Sequence, residues 1–313
     1  MIQRLINFYR NNSQQQLEAM TPLWQYITLS HQLPLYEALN SGSLESVERQ
    51  LNTIGEGGYL YGVENLHPFD VESDFAVECA CKLGAITGLV AYHNPEQPDP
   101  VSKMVSIPML ESFLGFKIGT GGVPGVLNDD GVYHRMLYYV AALVSARNFL
   151  GKIPAQVLEI GGGFGAMPIL LSRCPEAKSY TVIDLPVMAV MSAYVIGNLL
   201  GPDKINLAGE AGCAFANYYT SFNYAAVRDA RYNLIMNSDS LPEMTISAQD
   251  EYLALISEVL LPDGIFLSIN HESTNGGQSS VLNAVRRNVK LRLVSRHAFE
   301  LRPGYVEEIY KRV

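Results

Sequence analysis

Basic residues are scarce in this chain: Lys and Arg number 22 against 31 acids, leaving a net charge of −9 over 313 residues. A surface that follows a phosphate backbone draws on clustered Lys and Arg, so nucleic acid is not an expected partner. The one dense basic cluster, Arg286, Arg287, Lys290 and Arg292, reads as a solvated helix face near the C-terminus. Also missing is any run of about 18 apolar residues, so no membrane span is expected. The opening stretch, Met1 to Arg10, lacks the apolar core and small-residue cleavage site of a secretory signal. The expected location is therefore the cytoplasm. Cysteine is sparse, and Cys79, Cys81, Cys174 and Cys213 show neither paired metal spacing nor a disulfide framework. They read as small buried thiols of a reducing compartment. Charged residues make up 17% and hydrophobic ones 48%, which excludes a disordered chain and describes a compact one with a large core.

What is present falls into two regimes that meet near residue 150. Up to about residue 93 apolar residues recur at three and four positions (Leu5, Phe8, Tyr9, then Val47 and Leu51 after a cap at Ser43), a helical pattern. Asp74 to Tyr92 is another helix candidate. His93 to Asp130 is rich in Pro and Gly and contains Gly119 to Gly125, a loop long enough to act as a lid or to be an inert connection. Val132 to Leu150 is apolar on most sides, a buried helix stopped at Gly151 and Pro154.

Beyond it, strands alternate with helices. The predicted strands are Val157–Ile160, Tyr180–Ile183, Ile205–Leu207, Tyr232–Met236, Ile265–Ile269, Leu291–His297 and Glu307–Val313. Predicted helices cover Ala166 to Cys174, Val187 to Leu200, Ala248 to Leu261 and Val281 to Val289. Alternation of this kind implies a parallel sheet covered on both faces. The last two strands are too close for a helical crossover and should pair antiparallel. The expected fold is α/β, a doubly wound, Rossmann-like, seven-stranded and mostly parallel sheet with a helical N-terminal cap. Residues 1–130 would form the cap and lid and residues 131–313 the cofactor-binding domain.

The chemistry is concentrated in Val157-Leu-Glu-Ile-Gly-Gly-Gly-Phe-Gly-Ala-Met167. A buried strand runs into Gly161, Gly162, Gly163 and Gly165, and a helix follows. Glycines there allow a sharp turn and bring backbone N–H groups against a ligand where a side chain would collide. Asp184 follows Gly163 by 21 residues, at the end of the next strand, where an acid accepts ribose hydroxyls. The glycine pattern alone also fits a dinucleotide fingerprint. Glu159, two residues before the first glycine, suits the ammonium of a methionine moiety and would repel a pyrophosphate. A nicotinamide-dependent oxidoreductase is therefore the alternative of another class, and a non-catalytic binding protein of the same fold a further one.

Glu159-Ile-Gly-Gly-Gly-Phe-Gly165 resembles motif I of class I S-adenosylmethionine-dependent methyltransferases, and Ile183-Asp-Leu-Pro186 resembles their second-strand acid and helix start. With Asp129-Asp-Gly-Val-Tyr133, Asn237-Ser-Asp-Ser-Leu-Pro-Glu-Met244 and Tyr305-Val-Glu-Glu-Ile-Tyr-Lys-Arg312, the set is similar to the sugar O-methyltransferase family of bacterial polysaccharide and natural-product clusters. The similarity covers about residues 110 to 313. Asp239 and Ser240 depart from the Ser-Phe pair expected before Glu243-Met244. The resemblance implies S-adenosylmethionine as cofactor and transfer of a methyl group to a small-molecule hydroxyl on a sugar. An O, N or C nucleophile on another natural-product scaffold is the alternative acceptor.

Ligands gather outside the C-terminal ends of parallel strands, which singles out Glu159 to Gly165, Asp184 with Leu185, and Asn237 with Ser238 as cofactor contacts. Tyr133 and the Gly119 to Gly125 loop would close over the cofactor. Removing the acceptor's proton needs a base, and His271 is the first candidate because histidine is the residue type suited to proton transfer at neutral pH and this one follows the fifth strand at the ligand face. His134 and Glu243 are the others. His271, Glu272, Asp239 and Glu243 are of the ligand types that suit a hard cation such as Mg2+, yet no spacing demands a metal. The expected partner is the small-molecule acceptor, and a homo-oligomer is left open.

Overall fold

A computed structural model describes residues 1–13, 16–54, 82–84, 86–87, 107–118, 134–212, 214–272, 279–287 and 290–313. The expected helix over residues 74–92, apart from five helical residues, lies outside these, as do the Gly119 to Gly125 loop, Tyr133, Cys79, Cys81 and Cys213.

The centre is one eight-stranded sheet. Its strands are β1 (Gln156–Ile160), β2 (Ser179–Asp184), β3 (Ile205–Leu207), β4 (Ala216–Thr220), β5 (Tyr232–Ser238), β6 (Leu260–His271), β7 (Leu291–Ala298) and β8 (Tyr305–Arg312), in the order β3-β4-β2-β1-β5-β6-β8-β7. The first six are parallel, and β8 runs antiparallel between β6 and β7, so the terminal pair forms as expected.

The strand count corrects the expected seven. The added strand is β4, Ala-Asn-Tyr-Tyr-Thr, which enters between β2 and β3 and leaves β3 at the edge. It escaped the sequence reading because only Ala216, Tyr218 and Thr220 turn into the core while Asn217 and Tyr219 stay half-buried, so no apolar run marks it. A second correction concerns β6. The helix before it stops at Val259, and the strand starts at Leu260, pairing with Tyr232 before a bulge restores register at Leu234 and Ile265.

The helices in chain order are α1 (Ile2–Asn12), α2 (Gln16–Ala19), α3 (Pro22–Ser30), α4 (Leu33–Ser41), α5 (Leu44–Asn52), α6 (Ile107–Leu114), α7 (His134–Leu150), α8 (Ala166–Leu171), α9 (Pro186–Leu200), α10 (Ile246–Val259) and α11 (Val281–Arg287). The glycine turn thus leads into a helix that ends at Leu171, one turn short of the expected Cys174. Side chains of β1 alternate between two cores. Val157 joins a cluster with α7, α8, α9 and the N-terminal helices, and Leu158 and Ile160 join one with α10 and α11. Leu5, Phe8 and Tyr9 of α1 are buried in the first cluster beside Val190 and Ile196 of α9, and Ser43 caps α5 by accepting from Ser46 N at 3.3 Å. Among the described residues no helix is long and apolar enough to cross a membrane.

The chain leaves β1 toward β2 on one side, and β5 lies on the other. The strand order therefore reverses at β1, and the carboxyl ends of β1, β2, β5 and β6 open onto one crevice.

Candidate functional site

The floor of the crevice is the turn from Gly161 to Gly165. Gly161 (φ 79°), Gly163 (φ 56°) and Gly165 (φ 93°) lie in the left-handed region, where a side chain is strained. Their surroundings separate them. A Cβ on Gly161 would overlap Ser240 Oγ, one on Gly162 would come within 2.8 Å of Val182 Cγ1, and one on Gly165 within 2.7 Å of Ser192 Oγ. A Cβ on Gly163 would meet no atom of the described residues within 4 Å. Three glycines are required by packing, and the fourth faces the free space of the crevice.

Asp184 ends β2 beside this opening. Its Oδ2 accepts from Gly163 N at 3.0 Å and its Oδ1 from Leu185 N at 2.7 Å. Burial pushes its carboxyl up to about 7 against the pull of these backbone donors. Gly161 N donates to Ile183 O at 2.9 Å, which ties the turn to β2.

Two expected cofactor contacts occupy other places. Glu159 is fully buried beneath the turn, does not border the crevice, and accepts from the Tyr180 hydroxyl. Its Oε1 has no hydrogen-bond partner among the described residues. Burial pushes its carboxyl up to about 8, the Tyr180 bond opposes this, and nearby Asp184 adds to it. Asn237 is also fully buried. It donates to Ile160 O at 2.8 Å and accepts from Leu241 N at 3.2 Å and Asn270 Nδ2 at 2.9 Å, fastening the ends of β1, β5 and β6 together. Ser238, its neighbour, does border the crevice.

The crevice has two arms. The first, a cavity of about 160 Å³, is walled by apolar groups from Ile183, Leu185, Phe222, Tyr224, Met244 and Tyr252. The second, about 260 Å³, is bordered by Gly163, Phe164, Tyr139, Asp239, His271, Arg302 and Tyr305. Trp24, Gly161, Asp184, Ser240 and Glu243 border both, so the arms meet at these residues.

Glu243 follows β5 and is half-buried at this junction. Its Oε2 accepts from Trp24 Nε1 at 3.0 Å. Burial pushes its carboxyl up to about 7, Asp239 adds to the shift, and Trp24 and Arg302 oppose it. Arg302 pairs with Asp239 at 2.6 Å and lies over the Tyr305 ring at 3.8 Å, so its guanidinium is fixed on two sides. Asp239 itself holds φ 65°, the one non-glycine in the left-handed region among the described residues. His271 meets the edge of the Tyr305 ring with centroids 5.9 Å apart.

The structure thus brings together Gly161, Gly163, Asp184, Leu185, Ser238, Glu243 and His271 around one crevice. Glu272 is held by Arg296 and does not border it, so the four residues weighed as cation ligands do not converge. Among the described residues no group of three His, Cys, Asp or Glu could hold a metal. His134 begins α7, and its side chain lies outside the described residues. Sequence reasoning missed Trp24, Tyr139, Phe222 and Arg302. Phe222 follows β4, which no apolar run marks, so it carried no local signal, whereas Tyr305 opens the terminal motif. Trp24 carried none beyond being the one tryptophan of the chain.

No family model matches the chain, and no curated protein matches it. Among solved structures it is similar to the N-methyltransferase NodS from Bradyrhizobium japonicum WM9 in complex with S-adenosyl-L-homocysteine, at 15% identity over 57% of this chain and 86% of that one, with a TM-score of 0.40. An S-adenosylmethionine-dependent methyltransferase from Clostridium acetobutylicum ATCC 824 gives 10% identity over 58% and 92%, with a TM-score of 0.43. An O-methyltransferase family protein from Burkholderia thailandensis gives 14% over 57% and 59%, with a TM-score of 0.38. At these values the likenesses carry no functional inference.

Proposed function

We propose that the chain is an S-adenosylmethionine-dependent methyltransferase acting on a hydroxyl of a small molecule, with a sugar as the acceptor class. The observation that carries this reading is the opening at Gly163, which no atom of the described residues fills, next to the Asp184 carboxyl. The residues fit the cofactor. Asp184 offers carboxylate oxygens to ribose hydroxyls, the apolar first arm offers a purine its faces, and the backbone at Gly163 leaves room for the methionine portion. Glu159 lies below the turn, where burial keeps its carboxyl protonated up to about pH 8, and it supports the turn rather than contacting the cofactor. When bound, S-adenosylmethionine supplies a methyl group on a sulfonium, ready for in-line displacement.

The chain's own residues then orient the acceptor and take its proton. A sugar hydroxyl is too weak an acid to ionise beforehand, so the base must act as the new bond forms. Glu243 stands at the junction of the arms, and a carboxyl raised to about 7 is well matched to a base at neutral pH. The sequence put His271 first. It borders the second arm alone and is proposed as a partner that orients the hydroxyl. Tyr139, Tyr305 and Trp24 offer ring faces, and Asp239 and Arg302 offer hydrogen bonds, a lining suited to the mixed faces of a sugar. Residues 131–313 would hold the cofactor, and the segment before them would cover the acceptor, in a cytoplasmic enzyme.

Incubation with S-adenosylmethionine and a panel of glycosides, phenols and amines, followed by mass spectrometry, tests the reading. Glycosides should gain one CH2. Methylation of phenols or amines alone would reject the sugar assignment, and no product with any acceptor would reject the activity.

A further inference from the structure

We propose that Trp24 is a positioning residue of this site: its indole N–H holds the Glu243 carboxyl at the junction of the two arms, which makes α3 a working part of the reaction centre. The inference rests on the reading of Glu243 as the base. An indole has one polar atom and it only donates, so the 3.0 Å contact from Nε1 to Glu243 Oε2 has one direction. Residues 219 apart in the chain are joined by it.

The donor is rigidly mounted. Pro22 occupies the first turn of α3, Gln25 N donates to Thr21 O at 2.9 Å, and Gln25 Nε2 donates to Leu17 O at 2.8 Å and Met20 O at 3.2 Å. Just after α3, Gln32 Nε2 reaches Met188 Sδ of α9 at 3.1 Å. The ring therefore stands at a fixed place over the crevice.

The bond is needed because the neighbourhood disfavours a carboxylate. Glu243 is taken out of water, with Asp239 adding like charge from its own loop and Asp184 and Glu251 bordering the same space from β2 and α10. Arg302, ahead of β8, opposes them but is committed to Asp239, and His271 approaches from β6. A donor that bonds the ionised form offsets part of this. Without that donor the carboxyl would remain protonated to higher pH and accept nothing.

Because Trp24 is the one tryptophan in the chain, its emission reports the pair without substrate or cofactor. Emission of the protein alone should titrate near neutral pH in the wild type and lose that transition in Glu243→Gln. A flat wild-type profile, or the same transition in Glu243→Gln, would overturn the pairing. In Trp24→Phe, which keeps a ring and removes the donor, the acid limb of kcat/KM should move up by about one pH unit. An unmoved limb would overturn the positioning role. The emission titration needs no methyl transfer, so its failure is distinguishable from failure of the functional reading.

Discussion

The floor of the crevice and its second arm are built in opposite ways. The floor leans on one stretch of chain, from β1 through the glycine turn to β2, and its parts are held by backbone: Gly161 N to Ile183 O, Gly163 N and Leu185 N to Asp184. The second arm has no such local source. Trp24, Tyr139, Asp239, Glu243, His271, Arg302 and Tyr305 come from several separate segments and meet only in the folded state. A site made by backbone conformation must be written in consecutive residues. A site made by side chains is free to be scattered.

The comparison predicts where each kind of substitution acts. The largest effect belongs to the second arm: Glu243→Gln should lower kcat by about 10²–10⁴-fold while affinity for S-adenosylhomocysteine stays nearly constant. His271→Ala should cost less, and a larger loss there than in Glu243→Gln, measured by steady-state kinetics, would move the base to the histidine. In the floor, Gly163→Val should weaken S-adenosylhomocysteine binding by about 100-fold or more, because the side chain enters the free space. Gly165→Val is the contrast. Its side chain would meet Ser192 and Ile196, so denaturant unfolding should register a larger loss of stability than in Gly163→Val. Equal behaviour of the two variants would erase the distinction between packing glycines and the ligand-facing one.

That distinction also marks how far the sequence could be read. The strand, turn and second-strand acid were legible because conformation and chemistry sit in adjacent residues. So were the antiparallel closing pair and the cap at Ser43. β4 was not, since alternating burial in Ala-Asn-Tyr-Tyr-Thr leaves no apolar run. Asn237 and Glu159 were read as ligand contacts because strand ends face ligands on average. Here Asn237 spends its side chain on joining three strands, and Glu159 points under the turn toward Tyr180. Trp24 and Arg302 could not be found, because what places them at the crevice is proximity to Glu243 and Asp239, and proximity is a property of the fold.

Smaller effects sharpen the account of the floor. Asp184→Ala should reduce S-adenosylhomocysteine affinity by about 1–3 kcal/mol in calorimetry, the scale of a lost charged acceptor. The buried carboxyls should also set the pH dependence of stability. Glu159 rises from 4.5 to about 8, and Asp184 and Glu243 rise to about 7. Raised carboxyls bind protons more tightly in the folded state, so their contribution is complete below 3.8, the ordinary Asp value, and is lost as pH climbs through these values. The unfolding midpoint of the protein alone should therefore fall between pH 4.5 and 8, and Glu159→Gln should flatten the upper part of that fall. A midpoint that rises over this range would contradict the burial of these groups.

Calorimetry of the wild-type protein with S-adenosylhomocysteine and, separately, with NAD tests the central claim most directly. The account predicts saturable one-site binding of S-adenosylhomocysteine that Gly163→Val removes, and no binding of NAD. Binding of NAD without S-adenosylhomocysteine, or an affinity for S-adenosylhomocysteine indifferent to Gly163→Val, would contradict it.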